Sequence, residues 1–174
     1  MTTNLQKKLA RFNSLPAGEA ETELLKCCGS KEWARIMIAA RPFANFDELS
    51  AKAEQVWWSL ASQEWLEAFH SHPKIGERKA AAATSDQSKR WSEAEQAAVN
   101  TAAQETIQEL ADLNRQYEER FGYIFIVCAT GKSSEEMLAI LRARLENPAH
   151  QELRIAAAEQ ARITQLRLKK LIDS

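Results

Sequence analysis

Only one run of this chain reads as a β-strand, and nothing else in the sequence is a convincing partner for it. Tyr123-Ile124-Phe125-Ile126-Val127-Cys128 is aromatic and β-branched, the pattern of a buried strand. A lone strand would leave a row of backbone donors and acceptors unpaired, which protein interiors do not tolerate. The run is therefore one extended segment inside a helical protein, its backbone groups met by side chains, neighbouring elements or a ligand. The rest of the chain keeps helical rhythm, and only five glycines and four prolines among 174 residues interrupt it. The expected fold is all-α. A single compact domain over residues 1–174 is expected, with about eight or nine helices and one extended non-helical segment near 122–129.

The helices follow from periodicity and punctuation. Leu5 to Phe12 forms a short helix closed by Asn13-Ser14-Leu15-Pro16, and Pro16 to Cys28 a second, with Gly29 beyond its end. Ser30 caps a third through Trp33, Ile36, Met37 and Ala40, which stops before Pro42. Asp47 begins a fourth through Leu49, Val56, Trp57 and Leu60; Ser62 begins a fifth through Trp65, Leu66 and Phe69. Residues 77 to 91 are charged, small and polar, and fit either a helical turn or a mobile loop. Ser92-Glu93-Ala94-Glu95 matches a capping box ahead of a long helix striped by Ile107, Leu110, Leu113, Tyr117 and Phe121. After Gly131, Ser133 or Ser134 caps a helix to Leu145, and the last helix runs from about Ala149 to Ile172.

Charge and cysteine usage exclude several function classes. Net charge is −1 with basic residues scattered, so neither nucleic acid nor an acidic membrane is an expected partner. Cys27, Cys28 and Cys128 make neither a disulfide framework nor a zinc spacing, which fits a reducing compartment. There is no signal-type apolar region at the N-terminus, no membrane-length apolar run and no peroxisomal tripeptide in Leu171-Ile172-Asp173-Ser174. A soluble cytoplasmic protein is expected.

Two local features carry chemistry. In Phe69-His70-Ser71-His72-Pro73-Lys74-Ile75-Gly76, proline pushes His72 out of the helical region, so its imidazole is presented from a backbone corner. Such an imidazole suits acid or base work near neutral pH; alternatively it caps the last turn of a helix. His70 and His72 form an HxH pair with no third ligand nearby, and no metal site is expected. In the last helix Leu153, Ala156, Ala157, Ile163 and Leu171 form the buried stripe, and Arg167 falls near its middle. A guanidinium aimed at a core needs an anionic partner or a snorkelling path, unless it is a fork for a substrate carboxylate or carbonyl. Trp57, Trp58 and Trp65 read as core, with a stacking platform for a base as the alternative.

Four separated pieces together resemble one family. They are His72-Pro73-Lys74-Ile75-Gly76, Ser92-Glu93-Ala94-Glu95-Gln96, the run from Asn114-Arg115 to Ile126-Val127, and Leu166-Arg167-Leu168; the Ala40-Arg41-Pro42-Phe43 turn is similar too. Their order and spacing look like the 2-oxo-4-hydroxy-4-carboxy-5-ureidoimidazoline (OHCU) decarboxylases of uric acid degradation. The resemblance spans nearly the whole chain. It implies an all-α homodimer that needs no cofactor and converts OHCU to (S)-allantoin and carbon dioxide. It puts the catalytic roles on His72, Glu95 and Arg167, and substrate contacts on Pro73, Ser92, Gln96, Phe125, Ile126, Val127, Cys128 and Ala129. Ile124 stands where many relatives have proline, and Ala97-Ala98-Val99 replaces a more glycine-rich continuation. Both departures bear on pocket shape more than on chemistry.

Under this resemblance Glu95, which by local pattern is half of a capping box, turns towards the substrate, and the helix N-terminus offers Ser92 and exposed N–H groups to it. The extended 123–128 run gains a purpose as well, because its backbone groups can read the edges of a ureido or lactam group. Two rivals differ in kind: a non-catalytic helical interaction module, and a related enzyme acting on another ureido or imidazoline acid.

Overall fold

The computed structural model describes residues 4–74 and 104–173. Among these residues there are eight helices and no β-strand. The helices are α1 Asn4–Ser14, α2 Ala17–Cys27, α3 Lys31–Ala39, α4 Phe46–Ser59, α5 Ser62–His70, α6 Gln104–Phe121, α7 Ser134–Leu145 and α8 Ala149–Asp173. No described helix is long and apolar enough to cross a membrane. The fold is all-α, and residues 122 to 129 form its non-helical segment. The stretch 77–91 and the capping box at Ser92 lie outside the described residues. The chain gathers into two compact units, Met1–Ala68 with Ala161–Ser174, and Phe69–Gln160, so α8 contributes to both.

In the first unit, helix starts are set by side chains that meet orphan backbone N–H groups. Ser30 Oγ accepts from the N–H of Trp33 at 3.1 Å and begins α3. For α4 the cap is Asn45: its Oδ1 accepts from Glu48 N–H at 2.8 Å, and the Glu48 carboxylate accepts from Ala44 N–H at 2.7 Å. This reciprocal pair satisfies two donors at once and moves the start ahead of Asp47, which falls in the first turn. Pro16 sits just before α2 rather than inside it, and Cys28 closes that helix through a bond from its N–H to Leu24 O at 3.0 Å. The Arg41-Pro42 peptide bond is cis. Arg41 Nη1 donates to Phe12 O and Leu15 O at 3.1 and 2.9 Å, placing a cation on the last carbonyls of α1. Asn13 satisfies both backbone groups of Phe43, at 2.8 and 3.0 Å.

The core of this unit is Leu24, Trp33, Met37, Leu49 and Trp57, with Leu168 and Ile172 from α8, all fully buried. Each such side chain is worth about 1.5–3 kcal/mol relative to exposure. Two of the buried indoles donate to backbone carbonyls: Trp33 Nε1 to Ala53 O at 3.1 Å and Trp65 Nε1 to Trp57 O at 3.0 Å. Trp58 is 40 % exposed and meets Trp65 edge-on, with centroids 5.7 Å apart.

In the second unit, α6 buries Leu110 and Tyr117 of its stripe. It ends at Gly122, whose φ of +80° turns the chain and whose N–H bonds Glu118 O at 2.8 Å. Of the two candidate serines, Ser133 caps α7, in a complete capping box with Glu136. On α8, Ala156, Ala157, Ile163 and Arg167 are buried as the stripe requires, whereas Leu153 and Leu171 are half-buried. Leu168 and Ile172 take the deep positions near the helix end.

Candidate active site

α5 ends at His70, and the chain turns there: the N–H of His72 bonds Phe69 O at 3.2 Å, outside the helix. The ring of His72 is half-buried, and its Nε2 lies 2.6 Å from Oε1 of Gln160 on α8. Pro73 is half-buried beside it. Lys74 then pairs with Glu118 of α6 at 2.6 Å.

The 122–129 segment is buried from Phe125 to Ala129. Side chains hold its backbone at three atoms. Arg144 Nη1 donates to Ile126 O at 2.7 Å, the N–H of Cys128 donates to Glu159 Oε2 at 2.7 Å, and Lys132 Nζ donates to Cys128 O at 2.7 Å. The N–H of Lys132 adds a turn bond to Ala129 O at 3.0 Å ahead of α7. Between these anchors, the backbone N–H and C=O groups of Phe125 and Val127 hydrogen-bond to no described residue. A donor and an acceptor so placed in a buried segment can read a ligand edge that offers both.

Arg144 is itself part of a buried network. Its Nε donates to Glu152 Oε1 at 2.7 Å, Tyr117 OH donates to the same oxygen, and Asn147 Nδ2 donates to Glu152 Oε2 at 2.8 Å. The guanidinium also lies over the Phe125 ring, 4.6 Å from its centroid. Burial pushes the Tyr117 hydroxyl far up, with the Glu152 carboxylate adding to the rise and Arg144 opposing it. Tyr123, packed against Phe69 and Tyr117, is pushed up to about 12, mainly by burial.

Arg167 belongs to the first unit. It is 3 % exposed, and its Nη1 reaches Lys26 O at 3.4 Å, at the C-terminal end of α2. A cation there meets the negative end of the helix dipole. Burial raises the thiols of Cys27 and Cys28, the latter to about 12, and the nearby Arg167 charge opposes both shifts.

Of the residues singled out by sequence, the second unit brings His72, Pro73 and Phe125 to Ala129 within one contact frame. His72 and Cys128 are tied to consecutive residues of α8, Gln160 and Glu159. Ser92, Glu95 and Gln96 lie outside the described residues. Sequence reasoning missed Arg144, Glu152, Glu159 and Gln160. Three of these carried a readable signal, because Glu152, Glu159 and Gln160 fall on the same helical stripe as Ala156, Ile163 and Arg167.

Residues 13–169 match the OHCU decarboxylase family. The chain belongs to that family. It is 40% identical over 154 residues to the uric acid degradation bifunctional protein TTL of Arabidopsis thaliana, a match covering 88% of this chain and 47% of that protein. The chain thus spans about half the length of that relative. It is 36% identical over 143 residues to the 2-oxo-4-hydroxy-4-carboxy-5-ureidoimidazoline decarboxylase of Amia calva, covering 78% of this chain and 77% of the relative. Among solved structures, it resembles an OHCU decarboxylase crystallised in the presence of (S)-allantoin. That match has a TM-score of 0.76 at 37% identity and covers 88% of this chain and 99% of the other. A second, an (S)-allantoin synthase at 18% identity and a TM-score of 0.69, shares the fold. In this member of the OHCU decarboxylase family, the second unit offers an imidazole at a backbone corner and a donor–acceptor backbone edge. Those are tools for orienting a small polar acid and moving a proton.

Proposed function

We propose that this chain is a carboxy-lyase of uric acid degradation that converts OHCU to (S)-allantoin and carbon dioxide. The reading takes residues 1–174 as one functional domain, working as a homodimer in the cytoplasm without a cofactor. What carries it is the likeness, over 88% of this chain and 99% of the other, to an OHCU decarboxylase crystallised in the presence of (S)-allantoin.

The substrate supplies its own electron sink, because its carboxylate sits on a carbon next to a C=N bond. As the bond to carbon dioxide breaks, its electron pair forms a new C=C bond and the C=N pair moves onto nitrogen, which takes up a proton. The 4-hydroxyl then becomes a carbonyl as its proton is lost and a proton is delivered to the ureido-bearing carbon from one face. The protein's tasks are orientation, charge stabilisation and that proton delivery.

In this scheme His72 transfers the proton, held at a corner where its ring nitrogen has a fixed partner. Glu95 holds and polarises the hydroxyl or ureido group, and Ser92, Gln96 and Pro73 contact the substrate. The open backbone groups of Phe125 and Val127 match the alternating donors and acceptors of a ureido or lactam edge; Ile126, Cys128 and Ala129 complete that wall. Arg167 orients a carbonyl, or a carboxylate whose hold weakens as charge leaves it, since tight ground-state binding of the leaving carboxylate would slow the reaction.

The test is optical. OHCU is generated in situ from urate with urate oxidase and hydroxyisourate hydrolase, and circular dichroism is followed with and without the protein. A rapid rise to a persistent signal of the (S) sign is expected. Unchanged decay to racemic allantoin, in the presence of folded protein, would overturn the proposal.

A further inference from the structure

His72 and Gln160 are 88 positions apart in sequence and 2.6 Å apart at Nε2 and Oε1. Gln160 is fully buried, on a helix whose preceding residue, Glu159, is held by the N–H of Cys128. The amide therefore sits on a framework that cannot easily swing away, whereas the ring it meets lies on a short corner outside any helix. A fully buried glutamine on a packed stripe gives up solvation that its hydrogen bonds must restore. From this pairing we propose that Gln160 is a positioning residue for His72. It sets the angle of the imidazole and keeps the proton of the neutral ring on Nε2.

The chemistry follows from the amide oxygen, which can only accept. Facing Nε2, it requires a hydrogen there, so the lone pair of the neutral ring lies on Nδ1. Nδ1 then takes up and returns the proton, while Nε2–H stays bound to Gln160 in both charge states. A neutral amide in this place orients the ring without holding it as an imidazolium, which a carboxylate would do. Among the described residues, the titratable and charged groups on the elements that make this contact are His70 and Lys74 on the corner's own segment, Glu118 paired with Lys74, and Glu159 on α8.

The inference rests on the decarboxylase reading for its purpose, but its contact can be tested without substrate. Two variants of the full chain, Gln160→Glu and Gln160→Met, are compared with the parent by nitrogen-15 spectra of the histidine rings from about pH 5 to about pH 9. The three histidines are told apart with His72→Asn. Glutamate keeps the acceptor and adds charge, so the His72 titration should rise by about one to three pH units. The limb of the pH–kcat/KM profile that reports His72 should move upward with it. Methionine fills the space without accepting, so kcat should fall roughly tenfold with KM little changed. An unchanged His72 titration in folded Gln160→Glu overturns the proposal, even where the parent decarboxylates OHCU. A parent that fails to decarboxylate OHCU, yet whose His72 titration rises in Gln160→Glu, overturns the catalytic reading and leaves the positioning contact standing.

Discussion

The backbone N–H of Cys128 donates to the carboxylate of Glu159 at 2.7 Å, across 31 residues of sequence. Both partners are buried, so a charged acceptor is committed to one peptide of the non-helical segment. Bonds to charged groups contribute about 1.5–3 kcal/mol, and losing a buried partner costs on that scale. Glu159→Ala is therefore expected to lower stability by about 1.5–3 kcal/mol, read as a lower urea midpoint with an unchanged slope. Glu159→Gln still offers an oxygen and should recover most of the loss. Equal midpoints for Ala and the parent would show that the bond does not anchor the segment.

Arg144 and Glu152 make a stronger test of the same segment, because Arg144 holds Ile126 O while Glu152 neutralises it. Side-chain exposures of 7% and 0% leave little solvent to compensate if one partner is lost. Removing one member of a buried pair typically costs about 3–5 kcal/mol, whereas replacing both by apolar groups is often neutral. Glu152→Ala should thus be severely destabilising by thermal unfolding. Combining it with Arg144→Met should restore part of the lost stability. If the double variant is worse than the sum of the singles, the bond from Arg144 to Ile126 O matters more than the ion pair.

The helices were readable because they are local: periodicity, Ser30 and the serines before α7 announce themselves within a few residues. The sequence starts α4 at Asp47, one residue late, because the true start at Phe46 depends on the Asn45 cap together with Glu48 reaching back to Ala44. The non-helical segment was legible as a strand without a partner. Its anchors were not, since Arg144 and Glu159 become partners of Ile126 and Cys128 only through tertiary packing. Arg167 stood out as a cation on a buried stripe, whereas Glu152, Glu159 and Gln160 shared that stripe unnoticed. Charge is conspicuous in a core pattern when it is isolated, and less so when several polar residues follow each other at helical spacing.

His72→Asn tests the proton-transfer role. The ring is half-buried and sits outside a helix, so folding should be preserved, with a fall in melting temperature no larger than the lost contact to the buried Gln160 accounts for. Acid–base groups typically contribute about 10²–10⁴-fold, and (S)-allantoin formation should slow by that factor. A near-normal rate in the optical assay would take His72 out of the mechanism.

Arg167→Met removes the guanidinium and keeps an apolar stem of similar reach. The bond to Lys26 O, at 3.4 Å, is long for a hydrogen bond. The expected result is a folded protein whose kcat/KM falls by about 10–150-fold, equivalent to the 1.5–3 kcal/mol of a charged hydrogen bond. A collapse of the melting temperature instead would assign Arg167 to the packing of α2.

Alkaline pH gives a test that is independent of substrate. Burial pushes Cys28 from its ordinary 9.0 to about 12 and Tyr123 from 10.0 to about 12, and Cys27 and Tyr117 move in the same direction. Each group binds its proton more tightly folded than unfolded. Its contribution is therefore fully present below the unfolded value and is lost as pH rises towards the folded one. Stability should begin to fall near pH 9, as the unfolded thiols ionise, and fall faster above pH 10, when tyrosine joins. For Cys28 alone the slope approaches about 1.4 kcal/mol per pH unit inside that window. Urea midpoints measured stepwise from neutral pH upward will show it, together with thiol alkylation. Native Cys27 and Cys28 should resist alkylation at a pH where an ordinary thiol reacts, and become reactive only as the protein unfolds. A midpoint that holds steady or climbs between pH 9 and 12 would mean that these groups meet solvent in the folded protein.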